Sequence, residues 1–102
     1  MTSPKPESRL QRRIQGALRS AFPGCYVQKI HVSEFAAAGT PDLLCCIHGR
    51  FVALEVKVPG EQPTVLQEFA LNNIRHAGGW AAVVSSPQQA VALIQELLKC
   101  RV

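Results

Sequence analysis

Apolar positions along the chain recur at two periods, and the switches between them predict an order of elements. From Pro6 to Ala21, residues Leu10, Ile14, Ala17, Leu18 and Ala21 share one stripe at 100° per residue, with Arg12, Gln15 and Arg19 opposite. That spacing predicts an amphipathic helix ending before Pro23-Gly24. Cys25 to His31 reads as a strand, and Val32 to Thr40 as a loop containing Ala and Gly. Two apolar runs of strand length follow, Leu43–Ile47 and Phe51–Leu54, separated by His48-Gly49-Arg50. A helical period resumes at Thr64, which has capping-box spacing to Gln67. Its inward stripe is read as Leu66, Phe69, Ala70 and Asn73, with Gln67 at the edge near Ile74. Gly78-Gly79 stops this helix, and Trp80–Val84 reads as a buried strand. Ser86-Pro87-Gln88-Gln89 opens a last helix that turns Ala90, Val91, Ile94, Leu97 and Leu98 inward. A strand followed by a helix in the C-terminal half favours parallel pairing, with helices on both sheet faces.

Charge changes this picture at one place. If His48-Gly49 is a two-residue hairpin turn, Ile47 pairs with Arg50, and counting back sets Asp42 opposite Glu55. Opposed residues have Cβ atoms ~5 Å apart. Lys57, two residues beyond Glu55, projects from the same face. Two carboxylates at that range repel by roughly 3 kcal/mol at an effective dielectric near 20. A proton, Lys57 or a divalent cation must offset this. Oxygen-only donors suit a hard ion such as Mg²⁺ or Mn²⁺, and Lys57 beside it would orient water or neutralise developing charge. The plainer reading is a Glu-x-Lys on a solvated strand, with Asp42 starting a turn after Pro41. Glu7 is a second oddity, because it falls on the inward stripe of the first helix. It fits either a site beside the helix start or the favourable place of an acid in a first helical turn.

The ordered set Gly39, Pro41-Asp42, Glu55-Val56-Lys57, Pro59-Gly60 and Gln67, with Ala77-Gly78-Gly79 leading into a strand, resembles the PD-(D/E)XK nucleases. More narrowly it is similar to a stand-alone VRR-NUC domain, over nearly the whole chain from Glu7 to about Leu98. The resemblance implies an α/β fold with a restriction-endonuclease-like core, order α-β-β-β-α-β-α, its mixed central sheet flanked by helices. It implies that Asp42 and Glu55 hold Mg²⁺ or Mn²⁺, aided by the Val56 backbone carbonyl, and that Lys57 assists the nucleophile. It gives Gln67 a contact with metal-bound water or a scissile phosphate, and it offers Glu7 as a further metal ligand. Capping is the alternative role for Gln67, and the two are compatible.

Composition sets the remaining bounds. At 102 residues, 47% of them hydrophobic, the chain is expected to form one domain, with residues 1–5 flexible. A net charge of +4 favours a polyanionic partner. Neither a membrane span nor a signal-peptide core is evident, so a cytoplasmic protein, of the phage or bacterial intracellular type, is expected. Of the four cysteines, Cys45 and Cys46 point to opposite strand faces, Cys25 and Cys100 are isolated, and buried free thiols are expected. Candidate DNA contacts are Arg9, Arg12, Arg13 and Arg19 on the first helix, then Lys29, His31, Arg50, Arg75 and His76. Such contacts would read phosphates rather than bases. His48 reads as a turn residue and not a base.

Together these features predict a metal-dependent DNA endonuclease needing no organic cofactor. Branched DNA such as a four-way junction is the expected substrate, cut by a homodimer. The alternatives are a nicking, flap-cleaving or nonspecific nuclease of the same fold, a non-catalytic DNA-binding module, or a subunit that meets an acidic protein.

Overall fold

A computed structural model describes residues 5–31 and 39–100. It runs α1 (Pro6–Ala21), β1 (Tyr26–Lys29), β2 (Leu43–Ile47), β3 (Arg50–Val56), α2 (Val65–His76), β4 (Trp80–Val84) and α3 (Pro87–Lys99). The expected flexible N-terminus, up to residue 4, and most of the expected 32–40 loop lie outside the described residues. The strands form one sheet in the order β1-β2-β3-β4. The first two pairings are antiparallel and β3 with β4 is parallel. This is the α-β-β-β-α-β-α order and the mixed sheet that the sequence predicts.

The hairpin has the predicted two-residue turn. Ile47 pairs with Arg50, and the ladder continues to Leu43 opposite Leu54. His48 (φ 52°) and Gly49 (φ 77°) both adopt left-handed conformations, as a type I′ turn requires. His48 also meets Phe22 edge-on, with ring centroids 6.4 Å apart. β3 begins one residue earlier than the apolar run and extends through Glu55 to Val56. β1 is shorter than predicted: the Cys25 N–H donates to the Phe22 carbonyl and closes a turn, and His31 falls beyond the strand.

Side chains alternate across β3, and this alternation separates two packing layers. Val52, Leu54 and Val56 join Leu10, Ile14, Leu18, Ala90 and Ile94 in one core, so α1 and α3 cover that face. Phe51, Ala53, Glu55 and Lys57 point to the other face. There Phe51 lies close to Ile74 of α2 around Gly79, where an added Cβ would lie 2.9 Å from Ile74 and 3.0 Å from Phe51.

Two helix faces differ from the sequence reading. Ala21 is exposed, and Phe22 closes the α1 stripe instead. On α2 the predicted inward residues Leu66, Phe69 and Asn73 are exposed, and Leu71 is the buried one, flanked by half-buried Gln67, Ala70 and Ile74. Two stripes of comparable period run along this helix. The stripe centred on Leu71 is the one that faces the sheet. The cysteines are free as expected, with Cys45 buried and Cys25 half-buried, but Cys46 and Cys100 are exposed. Among the described residues no helix is long and apolar enough to cross a membrane.

Candidate active site

Asp42 precedes β2 directly, and two backbone contacts fix it. Its carbonyl accepts from the Ile30 N–H at 2.8 Å, which ties it to the end of β1. Its carboxylate Oδ2 accepts from the Val56 N–H at 2.8 Å, which turns the side chain toward β3. The predicted register therefore carries through to the acids. Asp42 and Glu55 share one face, close enough for their carboxyl groups to hydrogen-bond.

Glu55 is only 1% exposed. Burial is the main reason its acid is pushed up to about 8, and the charge of Asp42 and the hydrogen bond to it add to the effect. Lys57 pulls the other way, and Glu7 raises it slightly further. Near neutral pH Glu55 thus keeps its proton, within hydrogen-bonding reach of Asp42. Lys57 is itself buried beside Glu55, and its N–H donates to the Val84 carbonyl at 3.0 Å, anchoring the end of β3 on β4.

Glu55 Oε2 is buried and has no hydrogen-bond partner among the described residues. An orphaned acceptor in a pair of acids is a place for a cation as much as for a proton. Hard oxygen donors of this kind fit Mg²⁺ or Mn²⁺, which bind through one or two carboxylates and keep several waters. The donor set agrees with that habit. Among the described residues no group of three or more His, Cys, Asp or Glu is placed to hold a metal ion.

Other predicted site residues fall into three situations. Glu7 is half-buried on the first turn of α1 and close enough to act on Glu55. Gln67 completes the capping box: its Oε1 accepts from the Thr64 N–H at 2.8 Å, and its own N–H donates to Thr64 Oγ1 at 3.2 Å. Gly39, with φ 87°, lies against the backbone of Leu66 and Gln67, so the segment leading to Asp42 docks on the start of α2. Val56 contributes its N–H to Asp42, while its side chain is fully buried in the core.

The candidate DNA contacts are dispersed. Arg9, Arg12, Arg13 and His31 are exposed and Lys29 half-buried. Arg19 is exposed and donates to the Val27 carbonyl at 3.1 Å. Arg50 lies at the hairpin end of β3, five residues or ~17 Å from Glu55. Its guanidinium stacks over Trp80 at 4.8 Å. Arg75 donates to the Ala81 carbonyl and to Asn72 Oδ1. One further buried polar residue lies on α1. Gln11 is 5% exposed and donates Nε2 to Glu7 Oε1 at 3.4 Å. Its signal was a polar side chain one helical turn from Glu7, beside the apolar stripe.

The mixed sheet thus lies between helices, with two acids and a lysine gathered at one end of its central hairpin. No family model and no curated relative matches the chain. Solved structures do. One, described as a "VRR_NUC domain", matches with a TM-score of 0.70 and 27% identity, covering 87% of this chain and 94% of that one. Another, described as a "VRR_NUC domain protein", matches with a TM-score of 0.71 and 18% identity, covering 95% and 91%. This likeness supports a nuclease-like domain whose fold is similar to that of the VRR-NUC domains over most of the chain.

Proposed function

We propose that the protein is a Mg²⁺- or Mn²⁺-dependent endodeoxyribonuclease that hydrolyses phosphodiester bonds. The observation that carries this reading is the opposed pair Asp42 and Glu55, whose carboxyl groups hydrogen-bond and leave Glu55 Oε2 without a partner among the described residues, beside a buried lysine. Asp42, Glu55 and the Val56 carbonyl hold the ion, with Glu7 in support. A divalent ion bound there polarises a phosphoryl oxygen and lowers the pKa of a coordinated water. The Val56 N–H keeps Asp42 turned toward Glu55. Lys57 orients the attacking water or offsets the negative charge that builds on the phosphate. Gln67 caps α2 and contacts the scissile phosphate or its water through the amide nitrogen.

DNA is the substrate, held by Arg9, Arg12, Arg13, Lys29, His31, Arg50 and Arg75, in a cytoplasmic setting. A chain of 102 residues covers little of a DNA site, and a homodimer would place two cuts symmetrically on a branched substrate such as a four-way junction. The exposed apolar side chains Val65, Leu66 and Phe69 on α2 favour such an association.

The test incubates purified protein with supercoiled plasmid, a flap, a plain duplex and a four-way junction, each with Mg²⁺, Mn²⁺ or chelator. Metal-dependent cleavage that disappears in Asp42→Asn and Lys57→Ala supports the proposal. Cleavage that survives both substitutions means that the chemistry lies elsewhere. DNA binding without cleavage at any Mn²⁺ concentration would instead mark a binding module. Paired cuts at the junction support the branched-substrate reading, while preferential cutting of the flap or of plain duplex overturns it.

A further inference from the structure

The proposed function leaves Gln11 unexplained. It is 5% exposed, one turn along α1 from Glu7, and the neighbours Leu10 and Ile14 belong to the core. Its Nε2 donates to Glu7, but its Oε1 is buried without a partner. A buried acceptor left unpaired costs about 1–3 kcal/mol. For packing alone, an apolar side chain would serve this position better.

Among the described residues one other buried side-chain oxygen is in the same condition, and it is Glu55 Oε2. The two are linked through Glu7, which accepts from Gln11 and acts electrostatically on Glu55. Two orphaned acceptors joined through a carboxylate form an incomplete oxygen set. A hydrated hard cation completes such a set, taking carboxylates directly while its waters donate to the remaining oxygens.

We propose that Gln11 is a positioning residue of the ion site: its amide N–H holds the Glu7 carboxylate toward Asp42 and Glu55, and its Oε1 accepts from water carried by the ion. This rests on the metal-dependent reading above. It differs from a packing role in one measurable respect. A linear apolar replacement should leave the metal-free fold intact or improve it, while weakening the hold on the ion.

The experiment compares wild type, Gln11→Met and Ile14→Val, the last a mildly destabilised control on the same helix. Mn²⁺ affinity is read at fixed pH by calorimetry and by the electron paramagnetic resonance signal of free Mn²⁺. Metal-free melting is read in chelator. The proposal expects Q11M to melt at or above wild type, to bind Mn²⁺ about tenfold more weakly, and to recover its cleavage rate when Mn²⁺ is saturating. The I14V control should melt lower and bind Mn²⁺ as wild type does. Unchanged Mn²⁺ affinity in Q11M, or melting of Q11M below I14V, overturns the role of Gln11 and leaves the metal-dependent reading standing. A wild-type protein that binds no Mn²⁺ overturns both.

Discussion

Replacing Glu55 by Gln should make the metal-free protein more stable at alkaline pH, although the residue is central to the site. The Glu55 acid is pushed up from an ordinary 4.5 to about 8 in the folded protein. A carboxyl raised on folding contributes stability that is complete below its ordinary range and is lost as pH climbs through the folded value. Wild-type stability in chelator should therefore fall between about pH 4.5 and 8 and level off above that. The full shift corresponds to roughly 5 kcal/mol at 1.36 kcal/mol per unit. Direct repulsion of two unit charges ~5 Å apart is about 3 kcal/mol at an effective dielectric of 20. The shift already includes the opposing pull of Lys57, so the two figures bracket the effect and the smaller is its lower bound. In a domain of this size ~3 kcal/mol is on the order of 10–20 °C in Tm. Thermal melts of wild type and E55Q, taken in chelator at about pH 5, 7 and 9, should converge at the acid end and separate by that order at the alkaline end. Mn²⁺ should rescue wild type most where its metal-free stability is lowest. Curves that stay parallel across the whole range, or an E55Q that is the less stable protein at alkaline pH, would refute the account of a protonated Glu55.

Gly39→Ala should cost about 1–3 kcal/mol in denaturant unfolding. The added Cβ would lie 2.6 Å from the Leu66 carbonyl carbon and 2.9 Å from the Gln67 nitrogen, at a left-handed φ of 87°. Thr64→Ala and Gln67→Ala each remove half of the capping box and should each lower stability by about 1 kcal/mol. If Gln67 also meets substrate, cleavage falls in Q67A while T64A keeps wild-type activity; equal activities would confine Gln67 to capping. Arg50→Ala removes the contact over Trp80 and should cost about 0.5–1 kcal/mol, with a shallower salt dependence of DNA binding if the guanidinium also reaches phosphate. Phe69→Glu should leave the melting temperature of the monomer unchanged and abolish self-association in sedimentation, because Phe69 is 63% exposed on α2.

Local chemistry is what made much of this molecule readable in its sequence. The limits of α1 follow from Pro6 and from the Pro23-Gly24 break, and both hold. The His48-Gly49 turn dictates the register of β2 on β3, and that register brings Asp42 to Glu55, because a two-residue turn leaves a period-2 ladder no freedom to slip. The Thr64–Gln67 box and the Ser86 cap form as their spacing predicts. Each of these signals is complete within a few residues.

Tertiary structure decided what depended on residues distant in the chain. The inward face of α2 was one such matter, because Leu66 and Phe69 carry the stronger apolar signal, yet Leu71 is the residue that docks. The packing of α2 on β3 and β4 and the close approach of Gly39 to the helix start decide that orientation, and no window on the helix contains those elements. Gln11 was another. Its sequence neighbours mark it as a polar residue beside an apolar stripe, one helical turn from Glu7, and only the closure of α1 over the sheet buries its oxygen. The protonation of Glu55 belongs here too, since desolvation depends on everything packed around the carboxyl. The sequence by itself determined which acids face each other. The fold decided how dry that meeting is, and so whether a proton or a cation must sit between them.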